Sequence, residues 1–189
     1  MDNLEVTKAQ TYKSVKIITI TDKDDNALKE SLAKQFESIE IVAITTDKPL
    51  CTNSILKYFE GSDIVLIISQ DSESALEIAT NLGRYSYVHR KSLTIGAVIK
   101  ASPFDSSDWE NNRYTQIYCF KNYIDSIFVI TKDGLFRLIK DISYMLVKPC
   151  LVSLNLEDLK SIFCDSEYSI MGIGIASGTG AVEKAVKLP

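Results

Sequence analysis

Between residues 15 and 147 the chain alternates short, almost wholly apolar runs with stretches whose apolar residues recur every three or four positions. The apolar runs are VKIITIT (15–21), IEIVAIT (39–45), SDIVLIIS (62–69), LTIGAVIK (93–100) and DSIFVIT (125–131). They are rich in β-branched residues and short, which predicts strands buried on both faces. NALKESLAKQF (26–36), SILKYFE (54–60), SALEIATNLG (74–83), WENNRYTQIYCFKNYI (109–124) and GLFRLIKDISYMLV (134–147) carry the helical period. Gly83 is expected to stop the third helix, and Pro149 closes the fifth. Buried strands separated by helices imply an α/β fold with a doubly wound parallel sheet, because a parallel neighbour is reached only through a crossover. Ligands of such sheets bind at the carboxyl ends of the strands.

With 189 residues, 46% of them hydrophobic, the chain can bury one sizeable core with a small appendage. The expected organisation is a flexible polar tail over 1–14, an α/β domain over 15–149, and a C-terminal segment over 150–189. A net charge of −4 gives no electrostatic reason to expect nucleic acid or anionic lipid as partner. Residues 1–14 are polar and no apolar run approaches membrane-spanning length, so a cytoplasmic protein without membrane insertion is expected. Cys51, Cys119, Cys150 and Cys164 are widely spaced and His89 is the single histidine, which argues against a zinc site or a disulfide framework. Buried free thiols are the expectation. His89 sits in the polar run RYSYVHRK with no nucleophile motif beside it, and no catalytic role is assigned to it.

The strand ends carry the candidate chemistry. After the first strand the chain reads TDKDDN (21–26) and after the third SQDSESALE (69–77), neither with a glycine. Asp22, Asp24, Asp25, Asp71 and Glu73 are expected to converge on the rim of the sheet, with Lys23 the only nearby cation. Carboxylates at a helix N-terminus satisfy its free N–H groups and its dipole internally, so they read as helix caps. An acidic metal site on Asp22, Asp24 and Asp71 is the alternative. The glycine-rich stretch MGIGIASGTGAVEKAV (171–186) has the composition of a phosphate cradle. A dinucleotide fingerprint, however, opens a βαβ unit with an acidic ribose partner downstream, and nine residues follow Gly180.

Seven segments in order resemble successive parts of FtsZ, the tubulin-like division GTPase: VKIITITDKDDNAL, IEIVAITTD, EGSDIVLIIS, LTIGAVIKASPF, DSIFVITKDGL, ISYMLVKPCLVSLNLEDLKSIF and YSIMGIGIASGTGAVEKAV. The resemblance implies the Rossmann-like FtsZ/tubulin fold, with the last segment a remnant of the second domain and its glycines structural. It also implies that Asn26, Thr46, Asp47 and Asp133 are remnants of the family's nucleotide-contacting positions. The departures are specific. TDKDDN replaces the glycine-rich loop after the first strand, and the GGGTGTG loop after the third is missing, so Gln70 leads straight into a helix beginning near Ser72. In the segment that resembles the family's N-x-D-x-x-D catalytic loop, Ser153 and Asn155 replace Asn and Asp while Asp158 remains. The opening also resembles a response-regulator receiver, but Ile68 stands where a receiver needs its phosphorylatable Asp.

The resemblance with these departures leads to the expectation of a degenerate FtsZ-like protein. It is expected to bind GTP/GDP weakly or not at all, to need no cofactor, and to work through contacts with FtsZ or with itself, head-to-tail or through the strand YSIMGIGI. The sequence reaches Pro189 in the first helix after that strand, whose apolar face is expected to need cover from the first domain or another chain. The alternative expectation is a divergent GTPase that binds GTP with magnesium and polymerises with help from a partner or metal.

Overall fold

The computed structural model describes residues 14–22, 26–37, 39–48, 52–89, 92–100, 113–147, 156–164 and 178–180. Five strands, β1 (Val15–Thr21), β2 (Glu40–Thr45), β3 (Ile64–Gln70), β4 (Leu93–Ile99) and β5 (Ser126–Ile130), form one sheet in the order β2-β1-β3-β4-β5. Every neighbouring pair is parallel. The helices are α1 (Asn26–Gln35), α2 (Thr52–Phe59), α3 (Glu73–His89), α4 (Arg113–Lys121), α5 (Lys132–Val147) and α6 (Leu156–Cys164). The doubly wound α/β sheet expected from the apolar runs is the observed architecture.

The alternation along each strand feeds two cores. Ile17, Leu66 and Ile95 face α1, α5 and α6, meeting Leu32, Leu138, Ile139 and Leu159. Ile18, Ile67 and Val98 point the other way and meet Phe59, Leu76, Leu82 and Phe120 of α2, α3 and α4. Covering both faces is why the strands are apolar at nearly every position. Lys16 is the exception inside β1: its buried ammonium donates to the carbonyls of Lys57 (3.1 Å) and Glu60 (3.4 Å) at the end of α2, and pairs with Glu40 Oε2 at 3.1 Å. A cation there satisfies carbonyls that the helix leaves open and opposes the negative end of its dipole.

Gly83 does not stop α3, which runs six residues further to His89. The glycine is buried where α3 meets the end of α4, and an added Cβ would lie 3.0 Å from Ile124 Cγ2. Its role is close approach rather than termination, and the extra turns are held by Tyr85 against Phe59 and by buried Ser86. Gly96 of β4 is used in the same way, since a Cβ there would lie 2.4 Å from Ile124 Cδ1 and 2.8 Å from the Phe120 ring. The fourth helix is shorter than its apolar pattern, ending at Lys121 so that Tyr123 and Ile124 can turn over these two glycines. Cys119, expected to be buried, is exposed on α4; Cys51 and Cys150 lie outside the described residues, as does the side chain of Cys164.

Thr131 alone joins β5 to α5, and its Oγ1 accepts the Gly134 N–H at 3.3 Å as an N-cap. With Leu135, Leu138, Ile139 and Ile142 all in the core, α5 runs back over the sheet. The helix α6 joins the same core through Leu156, Leu159 and Phe163, the last set edge-on to Phe128 at 6.3 Å. Of the glycine-rich stretch, residues 178–180 are described, a turn with Gly178 at φ 82° and Gly180 at φ 72°, conformations that favour glycine. The strand YSIMGIGI lies outside the described residues. No described helix is long and apolar enough to cross a membrane.

Candidate functional site

The chain leaves β1 toward β2 on one side and returns to β3 on the other, so the topological switch point lies between the carboxyl ends of β1 and β3. Asp22 stands there, one residue beyond β1. Its backbone N–H donates to Gln70 Oε1 at 3.1 Å, tying the two strand ends together. Its Oδ1 accepts the hydroxyls of Ser72 at 2.5 Å and Ser74 at 3.2 Å, and Thr46 Oγ1 lies 3.5 Å away. Ser72 is also the N-cap of α3, with its Oγ accepting the Ala75 N–H at 3.2 Å. The Asp22 carboxylate therefore sits beside the positive end of a long helix, held by the hydroxyls of that helix's own first turn.

Asp71 and Lys100 form the second part of the rim. Lys100 Nζ lies 3.5 Å from Asp71 Oδ2, with the lysine side chain 3% exposed and the aspartate side chain 24%. Lys23 is thus not the only cation at these strand ends. Asp71 Oδ1 is buried with no hydrogen-bond partner among the described residues. Beyond the pair opens a cleft of about 510 Å³ whose lining includes Thr21, Gln70, Lys100, Thr131, Lys132 and Asp133. A second cleft of about 410 Å³ lies between α2 and α3, with Thr46, Lys48, Ser74, Glu77 and Asn81 in its walls. Asp22 bonds to Gln70 of the first cleft and to Ser74 of the second, and so stands between them.

The residues singled out from sequence fall in separate places. Asn26 is the first residue of α1. Thr46 follows β2, with its N–H donating to the Thr21 carbonyl at 3.0 Å and its side chain in the α2–α3 cleft. Asp47 is exposed in the same turn. Asp133, in the first turn of α5, lines the other cleft, so Thr46 and Asp133 do not share a pocket. Asp158 is in the first turn of α6; Ser153 and Asn155 lie outside the described residues. Glu73 is exposed in the first turn of α3, and Asp24, Asp25 and Lys23 are not among the described residues. Among those that are, no three His, Cys, Asp or Glu side chains gather as metal ligands. His89 is exposed at the end of α3, its ring 4.3 Å from that of Tyr85.

Sequence reading missed Lys100 and the bridging role of Gln70. The signal for Lys100 was present: a lysine closing the apolar run LTIGAVIK marks the point where a buried strand reaches the rim.

This architecture is that of FtsZ and TubZ. A variant of FtsZ from M. jannaschii superposes with a TM-score of 0.72 at 14% identity, over 94% of this chain and 70% of that one. An FtsZ dimer from the same organism, described as empty, gives 0.67 at 15% identity, over 94% and 69%. TubZ of Clostridium botulinum phage c-st gives 0.60 at 11% identity, over 93% and 75%. In sequence, the mitochondrial division protein fszA of Dictyostelium discoideum is 41% identical over 58 residues, 31% of this chain and 11% of that protein. The cell division protein FtsZ of Rickettsia bellii is 23% identical over 167 residues, 72% of this chain and 35% of that protein. No family model matches. The chain is a divergent FtsZ-like one, and its matches span about a third or less of the length of these two curated relatives.

Proposed function

We propose that this chain is an FtsZ-like protein of the division apparatus that acts in the cytoplasm through protein contacts in or around filament assembly, and is not by itself a competent GTPase. The observation that carries this reading is the Asp22 carboxylate at the N-terminus of α3, hydrogen-bonded to Ser72 and Ser74. Polyphosphates are held by successive backbone N–H groups and a helix N-terminus. Here two residues, Asp71 and Ser72, join β3 to α3, and the helix end faces a carboxylate of the same chain. A triphosphate at the switch point would meet Asp22 and Asp71, charges of its own sign, so the residues present do not fit it.

The larger cleft supports a second reading. Lys100 and Lys132 both line it, which favours a divergent GTPase that holds GTP and magnesium beside them with help from a partner.

Head-to-tail filaments are built from two different faces that meet in each contact. By its resemblance to the FtsZ catalytic-loop segment, we assign KPCLVSLNLEDLKSIF to one of these faces and the altered loops to the other. A subunit of this kind docks on the nucleotide-bearing end of an FtsZ filament and offers the next subunit no matching face, or else it pairs with itself. The test mixes the protein substoichiometrically with FtsZ from the same cell while following light scattering and phosphate release. Shorter filaments and slower release, both relieved by Leu154→Glu, are expected. Unchanged assembly at equimolar protein overturns filament docking and leaves self-association.

A further inference from the structure

Of the six large hydrophobic side chains exposed among the described residues, five lie on one layer: Leu56 of α2, Tyr87 and Val88 of α3, and Tyr114 and Tyr118 of α4. The sixth, Ile162, belongs to α6 on the opposite face of the sheet. α3 stands in the middle of the crowded layer, touching α2 through Tyr85 and Phe59 and α4 through Gly83. Its outer stripe is Glu77, Asn81, Arg84 and Val88, all exposed and spaced i, i+4, i+7 and i+11 along one line of the helix. The buried residues Ala75, Leu76, Ala79, Leu82, Gly83 and Ser86 occupy the other side.

The charges on that stripe complement themselves. Glu77 and Arg84 lie on either side of Asn81, almost evenly spaced from it. If two α3 helices meet antiparallel about a two-fold axis near Asn81, each Glu77 faces the other copy's Arg84, and the contact is made twice by symmetry. The Arg84 guanidinium carbon lies 4.9 Å from the centroid of the Tyr123 ring, and a guanidinium held over a ring keeps its in-plane N–H groups able to meet a carboxylate. The flanking tyrosines, with Leu56 and Val88, supply apolar area around the two ion pairs, the composition found at the centre of protein interfaces.

We propose that this layer pairs with a second copy of the chain, α3 against α3 about a two-fold axis near Asn81, with Glu77–Arg84 contacts on both sides of the axis. Glu77 and Asn81 also stand in the wall of the α2–α3 cleft, so the pairing covers part of that cleft, but none of its contacts involves a nucleotide and it uses a different surface from the head-to-tail docking proposed above.

Sedimentation velocity on the full chain tests it. The wild type is expected to dimerise at concentrations of about 100 μM or below. Glu77→Arg and Arg84→Glu, both on exposed positions, are each expected to weaken dimerisation at least about tenfold, because each sets like charges against one another twice. An equimolar mixture of the two variants is expected to dimerise again, since both contacts of the mixed pair then join opposite charges. A merely structural role for either residue would not give rescue on mixing. A monomeric wild type, single variants that dimerise as well as wild type, or a mixture that stays monomeric would each overturn the proposal.

Discussion

The ammonium of Lys100 lies 3.5 Å from the carboxylate of Asp71 at the carboxyl edge of the sheet, with the lysine side chain almost wholly enclosed. Strand register makes this contact. β3 and β4 pair Gln70 with Ile99, so the next residue on each strand arrives at the same level, one an acid and the other a base. The Lys100 N–H donates to the Ile130 carbonyl at 2.9 Å, fixing the residue to the end of β5 as well. The pair joins the two strand ends, and Lys100 lines the larger cleft.

Breaking a buried pair from one side leaves the remaining charge without its partner. Lys100→Met is expected to lower stability by about 2–4 kcal/mol in urea unfolding, and Lys100→Met with Asp71→Leu by less than the single change. A cost of the single change below about 0.5 kcal/mol would mean that the pair contributes nothing to the fold.

The two packing glycines differ in how tightly they are covered. Gly96→Ala drives a methyl group into both Phe120 and Ile124 and is expected to cost about 1–3 kcal/mol. Gly83→Ala meets Ile124 at 3.0 Å but gains about 1 kcal/mol of helix propensity, so its net effect is expected within about 1 kcal/mol of zero. Thermal unfolding of the two variants side by side gives the comparison; an equal cost for both would contradict the geometry.

The strands were legible because both faces of the sheet are covered, which leaves continuous runs such as VKIITIT that no solvent-facing strand would carry. Helix ends were less so. Gly83 has the composition of a stop signal, and only the approach of Ile124 from the turn after α4 reveals its packing role. At the site, the sequence marked Asp22 and Asp71 as rim residues, and α3 indeed begins just after Ser72. What it did not contain was pairing: Asp22 reaches Ser72 and Ser74 across 50 and 52 positions, and Asp71 reaches Lys100 on the next strand. Such contacts are fixed by strand order and register, which no local pattern encodes.

The Asp22 carboxylate stands beside the N-terminus of α3 and accepts the hydroxyl of its N-cap Ser72 and that of Ser74. Asp22→Ala is expected to cost about 1–2 kcal/mol and to speed amide exchange in the first turn of α3, whereas Asp22→Asn, which keeps an acceptor but not the charge, is expected to cost about half as much. Equal costs would show that the charge contributes nothing at this helix end.

Repair of the catalytic-loop segment separates loss of that loop from loss of the phosphate site. Ser153→Asn with Asn155→Asp is expected to produce no GTP turnover by this protein alone, because positioning of the phosphates supplies most of the catalysis. Steady phosphate release by the repaired variant in the absence of FtsZ would point to a phosphate site elsewhere in the chain.

Titration of the wild-type protein with labelled GTP and GDP, with and without magnesium, bears most directly on the proposal that this FtsZ-like chain works without nucleotide. With the Asp22 carboxylate beside the helix end and two residues joining β3 to α3, dissociation constants weaker than about 10 μM, roughly −7 kcal/mol, are expected for both nucleotides under both conditions. Binding of either nucleotide tighter than this would contradict the proposal and establish the cleft beside Lys100 as the place to look for it.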